Sequence, residues 1–262
     1  METNLVKGIS FIRDGIQRSL IIVIFLALWE ILPDAGIIDR AFLPPVSEVA
    51  VALIKMLSSG MLAEHIFISM ERAFLGFVLA VLVAIPLGIL MGWYKLFERF
   101  VDPLMQAFRN TSTLALYPVF ILFLGIGEAS KIAILFKAAL WPILINTISG
   151  VKNVDPLLIK SARSMAVSNV FIFRKVVLPS SIPSIASGIR LGASISLVVL
   201  VAAEMIGAKS GLGFLIINSQ YNFMIPEMYA AIVTLVLLGL VLNYALVWLE
   251  KKATGWKEEI NI

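Results

Sequence analysis

The sequence predicts an all-α membrane protein of six transmembrane helices with both termini in the cytoplasm. Three observations carry that expectation: the composition, six apolar runs, and a one-sided distribution of basic residues. Of 262 residues, 60% are hydrophobic and only 15% charged, with a mean hydropathy of +0.98, whereas water-soluble domains hold about 45–50% apolar and about 25% charged residues. Disordered chains are apolar-poor and charge-rich, and the same figures exclude them. At about 20 apolar residues per crossing, six spans use roughly half the chain and leave no room for a separate soluble domain. Residues 1–262 are therefore expected to form a single transmembrane domain.

The first run, Leu20 to Leu32, follows Lys7, Arg13 and Arg18 in the manner of a signal peptide. No small-residue cleavage site comes after it, so it is expected to be retained as a span. Ala73–Trp93 is the second, and Thr113–Leu124 the third, long enough only if it starts near Pro103. Ile132–Ile148, Ile185–Ile206 and Met228–Leu249 complete the set. Pro86, Pro118 and Pro142 interrupt three of these spans, where each removes a backbone hydrogen bond and is expected to bend its helix. Gly88 with Gly92, and Gly188 with Gly192, have the spacing that lets helix backbones approach closely, a pattern common by chance in apolar sequence.

With the N-terminus inside, fifteen of the 21 basic residues fall on the cytoplasmic side. They are Lys7, Arg13 and Arg18 in the tail, Lys95, Arg99 and Arg109 between spans two and three, Lys152, Lys160, Arg163, Arg174, Lys175 and Arg190 between spans four and five, and Lys251, Lys252 and Lys257 at the C-terminus. The opposite face receives Arg40, Lys55, Arg72, Lys131 and Lys209, and Lys137 falls within span four. This asymmetry fixes the orientation by the positive-inside rule. The chain has no cysteine and one histidine, His65, which excludes disulfides, thiolate nucleophiles and Cys- or His-rich metal centres. No metal site and no catalytic residue are expected.

Segment 151–190 is the longest cytoplasmic stretch, the most basic, and still regularly patterned. Asp155-Pro156 reads as an N-cap followed by proline at the first helical position, opening a short amphipathic helix from Pro156 to Ala166. Ser168 is positioned to cap a second helix, Val170 to Val177, which Pro179 ends. Such a pair at a membrane surface is either a docking feature or an anchor in the headgroups.

Here the sequence resembles a known family. Lys160-Ser161-Ala162-x3-Ala166-x9-Val176-x-Leu178-Pro179 follows the spacing of the EAA loop, Glu-Ala-Ala-x3-Gly-x9-Ile-x-Leu-Pro, of the membrane subunits of ATP-binding cassette importers. Lys160, Ser161 and Ala166 stand where that loop has Glu, Ala and Gly. Phe42-Leu43-Pro44-Pro45-Val46-Ser47-Glu48-Val49, Ser69-Met70-Glu71-Arg72-Ala73-Phe74-Leu75-Gly76-Phe77, Ile85-Pro86-Leu87-Gly88, Phe123-Leu124-Gly125-Ile126-Gly127-Glu128-Ala129-Ser130-Lys131, Asn146-Thr147, Ala203-Glu204-Met205 and Ser210-Gly211-Leu212-Gly213-Phe214-Leu215-Ile216 resemble recurring segments of its nitrate, taurine and sulfonate branch. Together they run in order from about residue 40 to 250.

The resemblance implies a type I importer permease fold in a prokaryotic plasma membrane, pairing with a second copy of itself. It further implies a cytoplasmic ATP-binding subunit that holds ATP and Mg and grips an EAA-like coupling loop at 151–183. An extracytoplasmic binding protein would deliver a small anion, of the sulfonate, taurine, nitrate or bicarbonate type, to the opposite face near Ser210, Gly211 and Gly213. No cofactor is expected on this chain, which lacks the Gly-x4-Gly-Lys-[Ser/Thr] loop that cradles ATP phosphates, so it is not expected to be an enzyme. For contact with the ATPase the candidates are Leu157, Leu158, Ser161, Ala162, Met165 and Ala166. Small residues there permit close approach and the larger ones fill a groove.

Polar and amphipathic residues within spans three and four are pathway candidates: Asn110, Thr111, Ser112, Thr113, Tyr117, Trp141, Asn146 and Thr147. They either line a wet route or hydrogen-bond between helices. Lys137 either snorkels to the outer interface, joins an ion pair, or attracts an anionic substrate. Glu204, near the outer boundary, is expected to be a structural cap or ion-pair partner, because a carboxylate in the path repels an anion. Arg190 is expected to mark the inner boundary. An ion-coupled secondary transporter would show paired intramembrane carboxylates and repeated broken helices, and a membrane enzyme would show clustered acid, base and nucleophile. The sequence has neither pattern.

Overall fold

The computed structural model describes residues 20–255. Lys7, Arg13, Arg18 and Lys257 of the charge argument lie outside them. All regular structure among the described residues is helical, and it divides into two compact units, one of residues 20–63 with Ile216–Val233, the other of Glu64–Leu215 with residues 234–255.

In the first unit, α1 (residues 20–34) is followed by a turn and α2 (Val46–Ser58). The Trp29 indole donates to the Pro44 carbonyl at 3.0 Å, and Glu30 accepts from both the backbone N–H and the hydroxyl of Ser47. A carboxylate thus satisfies free N–H at the opening of α2, a task that its N-cap, Pro45, cannot perform because its side chain has no acceptor. Tyr229 stacks near Trp29, ring centres 5.8 Å apart, and donates to the Phe42 carbonyl. The Pro-Pro-Val-Ser segment is a corner held from α1.

The second unit is built around α6 (Glu128–Lys152), packed between α3 (Met61–Trp93) and α9 (Leu178–Met205). The glycine pairs mark real close approaches. A Cβ on Gly88 would stand 2.7 Å from the Thr147 Cβ and one on Gly92 2.6 Å from the Val151 Cβ, while on the α9 side Gly188 meets the Asn146 Cβ at 2.6 Å. Ala80, Ala84 and Ala139 are fully buried in the same seam with Met91, Ile143 and Leu144. Without a hydrophobic drive between helices in lipid, such close backbone packing supplies the association energy.

The second span ends at Trp93 as expected but starts earlier. α3 begins at Met61, well before Ala73, so Arg72 sits inside a helix and not in a loop, because polar partners absorb it. Pro86 and Pro142 lie within helices that continue through them. Residues 94–112, read as a cytoplasmic connection, form α4 (Lys95–Asn110). The third span is thereby a broken pair: α4 and the segment Leu114–Leu124, which comprises a 3-10 turn (Leu114–Leu116) and α5 (Tyr117–Leu124), bent by 87°.

After α6 come α7 (Pro156–Ser164) and α8 (Asn169–Ile172). Pro179 does not end the second helix. A π-turn at Phe173–Val177 joins α8 to α9, and Pro179 falls in the first turn of α9, where a missing N–H costs little. The chain closes with α10 (Leu212–Tyr221) and α11 (Ile225–Thr254). Four described stretches, Met61–Trp93, Glu128–Lys152, Asn169–Met205 and Ile225–Lys252, are long and apolar enough to cross a membrane, and the bent pair, counted as one span, gives a fifth.

Candidate functional site

At the Lys152 end of α6, the loop folds as its caps dictate. The Asp155 carboxylate accepts from the Leu157 N–H at 2.7 Å, Pro156 opens α7, and the Ser168 hydroxyl accepts from the Phe171 N–H. Ala162, Ile172 and Val177 bury against Val151 and Val154, with Trp93 and Phe173 against the same cluster, ring centres 5.4 Å apart. Of the expected contact residues, Ala162 is therefore an internal anchor with 9% of its surface exposed. Leu157 is 67% exposed and Met165 76%, and Leu158, Ser161 and Ala166 are exposed beside them. Seated on the ends of α3, α6 and α9, α7 thus presents an apolar face that nothing among the described residues covers. Ala166, in the family's glycine position, has φ +54°, the left-handed region that favours glycine.

At the break between α4 and α5, the Lys137 ammonium donates to the Thr111 carbonyl at 2.9 Å and to the Thr113 hydroxyl at 3.3 Å. Lys137 is only 6% exposed. Nine residues separate it from Glu128, about 14 Å along the helix, and fifteen from Lys152, about 22 Å, so it belongs to the interior of the span and does not reach for an interface. Ser112 beside it is exposed and Thr113 half-buried. Of the other expected pathway residues, Tyr117 bonds across to α9, whereas Asn146 and Thr147 bond back to carbonyls of α6 itself. Tyr117 is buried and donates to the Ala203 carbonyl, Asn146 donates to the Pro142 carbonyl under Gly188, and Thr147 to the Ile143 carbonyl opposite Gly88.

Sequence reading missed a polar groove of about 280 Å³ between α4 and α6, lined by Glu98, Asp102, Arg109, Ser149, Lys152 and Asn153 among others. Lys152 and Glu98 form an ion pair across it. The signal was present: Glu98, Asp102, Gln106 and Arg109 recur at three- and four-residue spacing, one face of a helix.

At the Glu128 end of α6 a buried network ties three elements. Arg72 pairs with Glu204 at 2.8 Å and with Glu128 at 2.5 Å, and donates to the Ser210 carbonyl at 2.7 Å. Glu204, fully buried, also accepts from the Ser69 hydroxyl and the Gly213 N–H. Lys131 joins through Glu128. His65 accepts from the Gly211 N–H at 2.9 Å. Gly211 has φ +110°, and a Cβ there would lie 2.3 Å from a Glu204 oxygen. Glu204 is thus the ion-pair partner its position suggested. Of the loop residues expected to face a binding protein, Gly211 and Gly213 are buried, and the exposed part of this turn is Ile206, Gly207 and Lys209.

Several helices of membrane length and apolarity define a multi-pass membrane protein. Residues 84–255 match the family described as binding-protein-dependent transport system inner membrane component, and the chain belongs to that family. The permease protein SsuC of Bacillus subtilis, named for aliphatic sulfonates transport, is 32% identical over 94% of this chain and 89% of its own. The taurine transport system permease protein TauC of Escherichia coli is 30% identical, over 91% and 89%. The nitrate import permease protein NrtB of Synechocystis is 34% identical, over 72% and 69%. Among solved structures, an inward-facing form of the MetNI methionine transporter superposes with a TM-score of 0.61 at 22% identity, covering 71% of this chain and 93% of that one, a likeness of fold. The chain is a multi-pass importer permease of the prokaryotic inner membrane, in the nitrate, taurine and sulfonate branch of a family whose ATPase is a separate subunit.

Proposed function

We propose that two copies of this chain form an alternating-access pathway for a small anion of the sulfonate, taurine, nitrate or bicarbonate type, driven by ATP and Mg held in two cytoplasmic ATP-binding subunits. The carrying observation is the α7 face: Leu157, Leu158 and Met165 are exposed on a helix whose other side is fixed by Ala162. An apolar helix face entering a partner's groove is a common mode of recognition, and a helix seated on the ends of three spans passes movement to all of them. Closure of the ATPases would then shift the population between inward- and outward-open states. A solute-binding protein would present the anion at the end where Ile206, Gly207 and Lys209 are exposed. Both termini would lie in the cytoplasm, with the loop.

Co-purification of the tagged chain with a candidate ATP-binding subunit, followed by reconstitution with the binding protein in proteoliposomes, tests this reading. ATP-dependent uptake and a complex with two permeases and two ATPases are expected. Uptake that persists with the ATPase omitted would overturn it in favour of an ion-coupled carrier.

A further inference from the structure

Two buried donors on one face of α6 lack what each requires. Lys137 has no carboxylate within 4.0 Å among the described residues, its ammonium resting on the Thr111 carbonyl and the Thr113 hydroxyl alone. One turn further on, at the four-residue spacing that stacks side chains on a common face, the Trp141 indole N–H is buried with no acceptor. An unpaired charge within a membrane span is costly and is retained where it meets a ligand or a path, and an orphaned buried donor calls for the same kind of explanation. A neutral carbonyl and a hydroxyl offset only part of a buried cation's lost hydration, whereas an anion with several oxygens would neutralise Lys137 and accept from Trp141 at once.

The surroundings fit that ligand. The 87° bend at residues 111–113 falls where Lys137 binds the backbone, and Ser112, between its two partners, is exposed. Leading toward the break, the α4–α6 groove carries Glu98 and Asp102 against Arg109 and Lys152, so its charges balance and the uncompensated positive charge sits at Lys137.

We propose that the Lys137 ammonium and the Trp141 indole N–H form an oxyanion seat at the α4–α5 break, taking a small planar or tetrahedral anion such as nitrate or an alkanesulfonate. The seat deepens the importer reading above and rests on it. Arrival of the anion exchanges the Thr111 carbonyl and Thr113 hydroxyl for ligand oxygens, which frees the break to straighten or swing.

The test uses the full complex of permease, ATP-binding subunit and binding protein in proteoliposomes, with nitrate and ethanesulfonate as probes. Lys137→Met is expected to lower the maximal uptake rate at least tenfold while the permease still assembles with the ATP-binding subunit. Lys137→Arg should keep uptake within about threefold, and Trp141→Phe should slow it two- to fivefold. Should Lys137→Met fail to fold, Lys137→Arg and Trp141→Phe still decide. Uptake within twofold of wild type in both Lys137→Met and Trp141→Phe removes the seat and leaves the importer reading standing. A wild type that imports neither probe removes the anion reading and the seat together.

Discussion

Arg72 and Glu204, 132 residues apart in the chain, meet at 2.8 Å with both side chains almost wholly removed from solvent. The pair is the hub through which α3, α9 and the turn at Ser210–Gly213 are joined. Removing one partner of a buried pair costs about 3–5 kcal/mol, the upper part of that range where Arg72 is lost, since Arg72 keeps Glu128 when Glu204 is removed. Arg72→Met and Glu204→Leu should each lower the melting temperature in detergent substantially, and the double variant should be no worse than the more damaging single. Additive losses in that double-mutant cycle would show that the two charges act independently.

Ala166 offers a gain of stability. Its φ of +54° costs an L-residue about 1–2 kcal/mol that glycine does not incur. Ala166→Gly should slow proteolysis of the α7–α8 connection and raise its amide protection, while Ala166→Val should do the opposite. Equal protection in all three would mean that the turn relaxes away from this conformation.

Gly188 and Gly239 make a matched contrast. A side chain at Gly188 meets Asn146 and the Pro142 carbonyl, whereas one at Gly239 meets nothing within 4 Å. Gly188→Leu should destabilise by about 3 kcal/mol or more through overpacking, and Gly239→Leu should leave the melting temperature unchanged. Size-exclusion profiles and thermal melts of the two variants separate the outcomes.

On α7 the inward and outward faces should separate by phenotype. Leu157→Glu with Met165→Glu should abolish capture of the ATP-binding subunit without altering the melting temperature, since both residues are exposed. Ala162→Glu puts an unpaired charge into the cluster of Val151, Ile172 and Val177 and should lose stability as well. Retained ATPase capture in the Leu157/Met165 variant would direct the search for the docking face elsewhere.

Local chemistry made the α7 region legible, because Asp155, Pro156 and Ser168 act within two or three residues of themselves. The same locality explains the reading that Pro179 ends a helix: proline forbids an interior hydrogen bond, but whether a π-turn upstream moves it into a first turn depends on packing of Ile172 and Val177. Arg72 and Glu204 looked like boundary charges because they lie 132 residues apart, beyond any periodicity. α4 was read as a connection since its mean polarity is that of a loop, and only its repeated acidic and basic positions betrayed a helix with one wet face. Gly88, Gly92, Gly188 and Gly192 gave a pattern whose meaning required knowing which helix lay opposite.

α6 runs unbroken from the Glu128 network to the loop that carries α7, 25 residues or about 37 Å. Packed along its length against the glycine seams of α3 and α9, it would act as a lever arm wherever the three helices tilt as one body. A tilt of about 10° at the Lys152 end displaces the Glu128 end by about 6 Å, twice the length of a hydrogen bond. Stiffness along α6 would therefore amplify: a rotation too slight to disturb the contacts at its origin would be large enough, at the far end, to exchange one partner of Arg72 for another.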